Sequence, residues 1–389
     1  MNYFEGLWFF LVLGCILLLA LIWGICEKPL RWLGLGTSLF MAACILGRRP
    51  WEGVFLLAFL AWSFGLLAWY RRRRLQEGRE ERTYHVALLL ALLPLVLAKI
   101  SPLWHFTIFG FTGISYMSFR VLQILIEMYD GLIETVPFAE TLSFLLFFPS
   151  MSSGPIDRSR RFHEDWEKTF ARREYLQLWS EGVRLLLGGA VYKFILAAWA
   201  YKAMGYLDAP ESTWLHWTAY AYVYSLYLFF DFAGYSRMAM GAARVLGVKL
   251  PDNFREPFLA KDIREFWDRW HITLSHWFRD FVFTRFVMLC SRHKWFKNRL
   301  NRACIGFLVN MGIMGMWHGL TLSYILYGLY HGLLLAGTEI FQKKSTFYKT
   351  NKDRKWFRAL SWFITMQLVV LGLFLFSGKL VWLLGGGNA

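Results

Sequence analysis

The uncharged run ACIGFLVNMGIMGMWHGLTLSYILYGLYHGLLLAGT, residues 303–338, decides the fold class of this chain. It contains no Asp, Glu, Lys or Arg. Because a bilayer core about 30 Å thick is crossed by roughly 20 helical residues, the run is long enough for two crossings. We place the break between them at residues 319–323. The run therefore predicts a pair of membrane-spanning helices.

Apolar stretches of similar character cover much of the remaining chain. The 389 residues are 57% hydrophobic and 18% charged, whereas a soluble domain has about 45–50% apolar and about 25% charged residues. This composition excludes a disordered chain, a fibre and an ordinary soluble enzyme. Further stretches that each predict one span are residues 6–26, 32–47, 53–70, 86–104, 212–230 and 359–378. We expect an all-α integral membrane protein that forms one multi-pass domain over residues 1–389.

The charge distribution predicts the orientation of the chain in the membrane. Lys and Arg total 43 against 27 Asp and Glu, a formal charge of +16. The cations cluster between apolar blocks, at residues 71–74, 158–173, 285–302 and 343–358. Such flanking clusters are typical of cytoplasmic loops rather than of a nucleic-acid-binding face. They place both termini outside and predict no nucleic acid partner.

One part of the chain does not fit a simple bundle of complete spans. Two cytoplasmic loops must be separated by an even number of crossings, yet three apolar blocks lie between Arg82 and Asp157: residues 85–104, 106–119 and 141–156. One block should therefore be re-entrant or only half-spanning. Irregular backbone is tolerated at membrane depth where protein or a water-filled cavity surrounds it.

His271 lies in the amphipathic stretch KDIREFWDRWHITLSHWFRDFV, residues 261–282. Apolar residues recur there at helical spacing, with charged residues on the opposite side, so the stretch predicts one helix at the membrane interface. His271 falls on the apolar stripe. Spacing alone leaves two interpretations open, a functional histidine and an interfacial histidine bonded to a neighbour.

His318 lies deep in the uncharged run, in MGIMGMWHGL. An ionisable residue at that depth is a candidate functional group, and a neutral imidazole there is available as a base. The alternative is a core histidine with satisfied hydrogen bonds. His331 would fall on roughly the opposite face of a continuous helix, which predicts a structural role. The five cysteines have no CxxC spacing, so we predict neither a disulfide framework nor a metal site.

Further polar groups interrupt apolar segments: Arg120, Gln123, Glu127, Asp130, Asp231 and Arg237. Arg120 and Glu127 are two helical turns apart and are expected to share a polar network. They either hold helices together or contact a substrate. The chain lacks the G-x-S-x-G, GxxxxGK[ST], G-x-G-x-x-G and H-E-x-x-H motifs, so hydrolase, nucleotide and zinc chemistry have no support. Two membrane histidines point instead to proton transfer, with a base that activates a hydroxyl toward an acyl donor.

Two motifs resemble those of a known family. NFREPFLAKDIREFWDRWHITLSHWFRDFVF, residues 253–283, is similar to the signature of the membrane-bound O-acyltransferase family, and MGMWHGL, residues 314–320, resembles its second histidine motif. SSGPIDRSRRF and LFFDFAGYSRMAMG, residues 152–162 and 228–241, resemble the branch that acts in lipoteichoic acid D-alanylation. The family motifs concentrate in residues 115–340. Alginate-type acetylases of the family usually have Asp at the place of Arg237.

The resemblance implies a multi-pass helical ring with re-entrant segments and a thin funnelled centre, in the cell membrane of a Gram-positive bacterium. It implies His318 as catalytic base, with His271 orienting substrate or polarising the carbonyl. The donor would be D-alanine on the phosphopantetheine of a small acidic D-alanyl carrier protein, so the chain needs no cofactor of its own. The acceptor would be a hydroxyl of lipoteichoic acid, or an outer-face D-alanyl transfer protein that passes the group on. The basic clusters would dock the carrier, and membrane lipid surrounds the chain.

Three alternatives remain open from the sequence. The first is an alginate-type polysaccharide O-acetyltransferase. The second is a non-catalytic transporter of activated alanyl groups, in which Arg120, Glu127 and Asp231 line the path. The third is a scaffold for the carrier and the outer enzymes, in which every intramembrane polar residue is dispensable.

Overall fold

The computed structural model describes residues 4–47, 49–104, 109–209 and 212–385. Within these ranges the regular structure is helical, apart from one isolated antiparallel bridge between Phe254 and Trp270. The chain forms two compact units, residues 1–190 with 234–251 and residues 191–233 with 252–389. The prediction of an all-α integral membrane protein is confirmed.

The first unit consists of the N-terminal helices and the end of a long helix from the middle of the chain. Its helices are α1 (Leu7–Ile25), α2 (Leu30–Leu46), α3 (Pro50–Glu77), α4 (Glu81–Ile100), α5 (Ile114–Asp130), α6 (Phe138–Leu146), α7 (Ser159–Trp166) and α8 (Arg172–Val191). Short 3₁₀ turns occupy Ser101–Trp104 and Phe148–Ser150. A π-helical segment, Tyr192–Ala197, follows α8.

The second unit carries the histidine motifs. Its helices are α9 (Ala198–Leu207), α10 (Trp214–Val245), α11 (Ile263–Trp267), α12 (Ile272–Phe278), α13 (Thr284–Arg292), α14 (Arg299–His318), α15 (Leu322–Lys344), α16 (Thr346–Asn351), α17 (Lys355–Phe376) and α18 (Lys379–Leu384). Helix α10 belongs to both units, with its last residues, from Gly234, in the first. A 3₁₀ turn, Pro257–Leu259, precedes α11, and a π-helical segment, Arg279–Phe283, joins α12 to α13.

Five helical stretches are long and apolar enough to cross a membrane: Leu7–Ile25, Pro50–Glu77, Glu81–Leu103, Arg172–Leu207 and Lys355–Phe376. A shorter apolar helix is Leu30–Leu46. The uncharged run forms two helices, α14 and α15, with the predicted break between His318 and Leu322. The chain is thus a multi-pass membrane protein.

The sequence did not predict the span Arg172–Leu207. Our search required stretches without charge, whereas this one contains Arg184 and Lys193. Lys193 donates to Asp231 Oδ1 at 2.5 Å, so its ammonium is paired inside the second unit. Long basic side chains also extend toward the interface along an apolar stem. A search for stretches without charged residues therefore misses spans in which the charged side chains are paired or extend toward the membrane interface.

The region between Arg82 and Asp157 contains the expected incomplete span. Helix α6 has nine residues, or about 14 Å at 1.5 Å per residue, less than half of a bilayer core. Helix α5 is buried along nearly its whole length, which is typical of a helix surrounded by protein. Residue 105, which separates the predicted blocks 85–104 and 106–119, and residues 106–108, which begin the second block, lie outside the described residues.

Candidate active site around His271 and His318

His271 lies at a break between two short helices, α11 and α12, so the prediction of one continuous amphipathic helix over residues 261–282 is wrong. Its φ is 44° and its ψ is 52°, in the left-handed region. That conformation costs a non-glycine residue about 1–2 kcal/mol. The left-handed residue separates α11 from α12 and changes the direction of the chain between them. Periodicity could not reveal the break, because the apolar spacing continues across it.

Backbone pairing with an earlier segment holds His271 in this conformation. Arg255 N donates to Arg269 O at 3.0 Å, and Ile272 N donates to Asn253 O at 2.9 Å. The side chain of Asn253 accepts from Thr273 Oγ1 at 2.7 Å. These hydrogen bonds fix the backbone on both sides of His271. The sequence NFR, residues 253–255, thus positions a histidine that lies more than a dozen residues later.

The N-terminal part of the amphipathic stretch, at α11, forms polar contacts with α15. Asp262 caps α11 through the backbone N–H of Glu265, and its other oxygen accepts from Gln342 Nε2 at 3.0 Å. Arg264 forms an ion pair with Glu339, whose carboxylate also binds Lys343 at 2.7 Å. The loop carrying His271 and the helix that follows His318 are therefore joined by polar contacts.

The His271 ring is buried, with 4% of the residue exposed. Phe232 of α10 packs edge-on against it, with ring centroids 4.6 Å apart. Among the described residues, Nε2 of His271 has no hydrogen-bond partner. The segments that carry His271 and His318 pack together, with ring centroids 6.4 Å apart between Trp267 and Tyr327 and between Phe278 and Trp317. The structure therefore brings together the two histidine motifs that the sequence singled out.

His318 is the last residue of α14, and a close crossing of α14 and α15 positions it. Gly315 and Gly328 face each other there: a Cβ on Gly315 would lie 2.4 Å from the carbonyl oxygen of Tyr324, and one on Gly328 would lie 2.4 Å from that of Met311. Only glycine allows this approach. The crossing brings the end of α14 against the start of α15, so His318 lies among residues of both helices.

Aromatic rings surround the His318 imidazole. The ring centroids of Trp317, Phe376, Tyr324 and Tyr327 lie 4.6, 5.0, 5.9 and 6.2 Å from its own. His318 itself is half-buried rather than enclosed. A partly open imidazole in an apolar setting can be reached by a substrate and still works away from bulk water.

His331 is fully buried, and neither ring nitrogen has a hydrogen-bond partner among the described residues. It packs against Tyr327 at 4.7 Å and Trp267 at 5.1 Å. Tyr327 thus lies against both His331 and His318, a proximity that the helical-face argument did not reveal. Its predicted structural role stays a prediction, and the packing is in keeping with it.

The three charged residues that would line the path of a transporter each bind other residues of this chain. Arg120 donates to the carbonyl oxygens of Leu145 at 2.9 Å and Ser150 at 2.7 Å. Glu127 accepts from Ser159 Oγ at 3.2 Å, and Asp231 binds Lys193. Each of the three charged side chains is thus held by hydrogen bonds or an ion pair, and the network shared by Arg120 and Glu127 stays a prediction.

A cavity of about 390 Å³ lies in the second unit beside the histidine motifs. Its apolar wall includes Trp267, Phe307 and Met314, and Met314 lies one helical turn before His318. The charged residues that line it are Arg264, Asp268, Arg279, Arg299, Glu339 and Lys343. The cavity is thus apolar inside and mainly cationic among its charged groups.

Comparison with known proteins decides the family. The membrane-bound O-acyltransferase family matches residues 73–379, which include both histidine motifs. The chain belongs to the membrane-bound O-acyltransferase family. It is therefore an O-acyltransferase, and the family resemblance of the sequence motifs is confirmed.

The relatives fall into two groups. The teichoic acid D-alanyltransferase of Bacillus subtilis (strain 168) is 38% identical over 97% of this chain and 98% of its own length. That of Streptococcus thermophilus is 37% identical over 88% of this chain and 86% of its own. The probable alginate O-acetylase AlgI of Pseudomonas putida is 30% identical over 69% of this chain and 52% of its own length.

Proposed function

We propose that this membrane-bound O-acyltransferase moves D-alanine from a thioester to a hydroxyl group for teichoic acid D-alanylation, with His318 as the base. The observation that carries the proposal is the packing of the two histidine motifs against each other, with His318 half-buried beside them. Near full-length similarity to teichoic acid D-alanyltransferases supports the substrate class. Acetylases of the alginate type match a smaller share of the chain, which favours the alanyl donor.

In the proposed reaction His318 accepts the proton of the acceptor hydroxyl while its oxygen attacks the thioester carbonyl carbon. A tetrahedral oxyanion forms and collapses, the carbon–sulfur bond breaks, and His318 returns the proton to the leaving thiolate. The products are an ester and a free thiol. Base assistance of this kind contributes about 10²–10⁴-fold in rate.

His271 is proposed to act on the carbonyl side. Its buried Nε2 has no hydrogen-bond partner among the described residues, so it is available to a substrate atom. As an N–H it would donate to the carbonyl oxygen and stabilise the oxyanion. A donor placed before the reaction, in an apolar setting, is worth more than the same donor in water.

The cavity of the second unit suits the proposed donor. A phosphopantetheine arm is a slender chain that carries a phosphate at one end, and the arginine and lysine side chains of the cavity would attract that phosphate. The carrier itself would be acidic, so the same charges would assist its docking. Met314, which lines this cavity, precedes His318 by one helical turn in α14. Delivery through this cavity would place the thioester near the base without any cofactor bound by the chain itself.

The test uses purified protein in liposomes with labelled D-alanyl carrier outside and a glycerol phosphate polymer as acceptor. We expect label to pass to the polymer as an alkali-labile ester, with one free carrier thiol per ester formed. A matched reaction with acetyl carrier should give little ester. Transfer of acetyl with no transfer of alanyl would replace the proposal by an acetylase. Movement of label across the bilayer without an ester would support the transporter alternative.

A further inference from the structure

We propose that the aromatic residues around His318 bind the α-ammonium group of the donor, and so select an aminoacyl thioester over a neutral acyl thioester. We call Trp317, Tyr324, Tyr327 and Phe376 the aromatic cage. This inference rests on the proposed function, because only an aminoacyl donor carries the cation. It gives these rings a role in specificity that is separate from the proton transfer by His318.

The cage has the arrangement that a small cation needs. Phe376 of α17 contacts both tyrosines of α15, with ring centroids 5.0 Å from Tyr324 and 5.0 Å from Tyr327. These three rings therefore form a continuous wall beside the imidazole. Ring faces attract a cation within about 6 Å of the centroid. Tyr324 and Phe376 are half-buried, so a ligand can reach them, whereas buried Tyr327 forms the floor.

The covalent structure of an aminoacyl donor places its α-ammonium group beside His318. In an aminoacyl thioester the amino nitrogen is two covalent bonds from the carbonyl carbon. The carbonyl must lie beside His318 when the acceptor oxygen attacks, so the ammonium must lie in the space next to the imidazole. The rings of Tyr324 and Phe376 pack beside the imidazole, so the ammonium would meet their faces there. A cation that loses its water without a compensating contact would weaken the binding of the donor.

Carboxylates on the helices of the cage lie too far away to bind the ammonium. Helices α14, α15 and α17 together contain one acidic residue, Glu339. It follows Tyr327 by about 18 Å along the α15 axis, and it is paired with Arg264 and Lys343. Asp208 is bound to Lys379, the first residue of α18, at 2.7 Å.

Aromatic rings, unlike carboxylates, are also compatible with His318 acting as a base. A carboxylate beside His318 would favour the protonated imidazolium, which cannot accept a further proton. An aromatic face attracts the ammonium without accepting a proton. The cage would therefore bind the aminoacyl group and leave the imidazole of His318 in its neutral form, able to act as the base.

The experiment replaces Phe376 with mono-, di- and trifluorinated phenylalanine, which keep the ring shape and progressively weaken its attraction for a cation. Transfer from D-alanyl carrier and from propionyl carrier, its neutral analogue, is compared by kcat/KM. We expect the wild-type protein to prefer D-alanyl, and the series to lower D-alanyl transfer stepwise by about 3- to 30-fold in total. Propionyl transfer should stay constant. The same series at Phe363, which is exposed on α17, is the control and should change neither rate.

The outcomes separate the two claims. D-alanyl transfer that is unchanged along the Phe376 series would overturn the cage and leave the proposed function standing. Equal losses for D-alanyl and propionyl, or equal use of both by the wild-type protein, would also overturn it. Absence of wild-type D-alanyl transfer would overturn the proposed function, and the cage with it. Phe376→Leu gives a second test, because it should reduce the D-alanyl preference and spare propionyl transfer.

Discussion

At the scale of single residues, His271 depends on neighbours that are distant in the sequence. Its left-handed backbone is stabilised by the pairing of residues 253–255 with residues 269–272, and by the bond from Thr273 Oγ1 to Asn253 Oδ1. The side-chain bond is buried and is made by a hydroxyl that a methyl group can replace. It therefore offers a way to loosen the turn without touching the histidine.

We expect Thr273→Val to lower the free energy of unfolding by about 0.5–1.5 kcal/mol, because the buried amide oxygen of Asn253 loses the hydroxyl donor and keeps only the backbone N–H of the same residue, at 3.3 Å. It should also lower the transfer rate, because the turn that presents His271 becomes less rigid. Thermal unfolding in detergent and the transfer assay measure the two effects. The control is Thr218→Val, an exposed threonine bonded within its own helix. A Thr273→Val protein as stable and active as this control would contradict the account.

The sequence predicts His318 better than His271. His318 stands out because an imidazole interrupts a long uncharged run, and this depth alone makes it a candidate. The environment of His271 is set by residues 253–255 and by Phe232 of α10. Contacts between segments far apart in the chain leave no periodic signal in either segment. For that reason its left-handed backbone could not be predicted.

At the scale of secondary structure elements, the crossing of α14 and α15 sets the position of His318. Gly315 and Gly328 meet at this crossing, whereas a Cβ added to Gly312 of α14 or Gly337 of α15 would have nothing within 4 Å. The two helices thus supply both the test position and its control. Glycine to alanine in an open helical position is expected to be neutral or slightly stabilising.

We expect Gly315→Ala to separate the helices, lower the melting temperature and abolish most transfer, because the added methyl group meets the carbonyl oxygen of Tyr324. Gly312→Ala, three positions earlier, should retain both stability and activity. The measurements are thermal unfolding in detergent and initial transfer rates on equal amounts of folded protein. Equal behaviour of the two variants would mean that the crossing does not position His318.

Helix α7 gives the fold a dependence on pH. Burial of Asp165 raises the pKa of its carboxyl, but bonds from the Lys249 backbone N–H and the Arg161 guanidinium outweigh burial and hold it below its usual value of 3.8. A carboxylate with a lowered pKa in the folded state stabilises it above the unfolded value, and this contribution is lost as the pH falls through the folded value.

We therefore expect Asp165→Asn to melt at a lower temperature than the wild-type protein at pH 7. The difference should shrink as the pH falls from about 4 through the lower folded pKa, because the carboxyl of the unfolded wild-type protein is protonated first and that of the folded protein afterwards. Melting curves of both proteins between pH 3 and pH 7 measure the effect. A difference that is independent of pH would show that the charge of Asp165 is unimportant.

The elements themselves were predicted unevenly. Continuous apolar runs such as Leu7–Ile25 and Lys355–Phe376 were recognised because hydropathy alone defines them. Arg172–Leu207 was not, because its charges are paired or extended rather than absent. The break of the amphipathic stretch at His271 was also missed, since it results from tertiary pairing that overrides a helical pattern.

At the scale of the whole molecule, the basic clusters predict the orientation in the membrane. They include residues 71–74, where four arginines end the apolar part of α3. The positive-inside rule places them in the cytoplasm and both termini outside. This orientation fits the proposed chemistry, because an acidic carrier would then meet basic loops on the side where it is made.

We expect a periplasmic-type alkaline phosphatase fused to the C-terminus to be active and a fluorescent protein fused there to be dark. The reverse pattern should hold for fusions that end near residue 76, after the arginine cluster. Enzyme activity and fluorescence in whole cells measure both, with expression checked by immunoblot. A fluorescent C-terminal fusion would reverse the assigned orientation.

Composition and hydropathy establish the membrane class of the whole chain, and the histidine motifs indicate the family. Neither could predict how segments such as 253–255 and 269–272 pair, because long-range pairing depends on the folded chain rather than on local pattern. The arrangement of rings around His318 was likewise not predicted, since Phe376 is distant from His318 in sequence and joins it only through the packing of α15 and α17.

The central claim is that His318 is the base of an acyl transfer, and one comparison tests it most directly. Wild-type protein and His318→Ala are reconstituted in liposomes at equal density with labelled D-alanyl carrier and a hydroxyl acceptor, and ester-linked label is followed over time. The account predicts a loss of about 10²–10⁴-fold in His318→Ala, the usual contribution of a base, with unchanged insertion and melting temperature. Equal ester formation by the two proteins would contradict it.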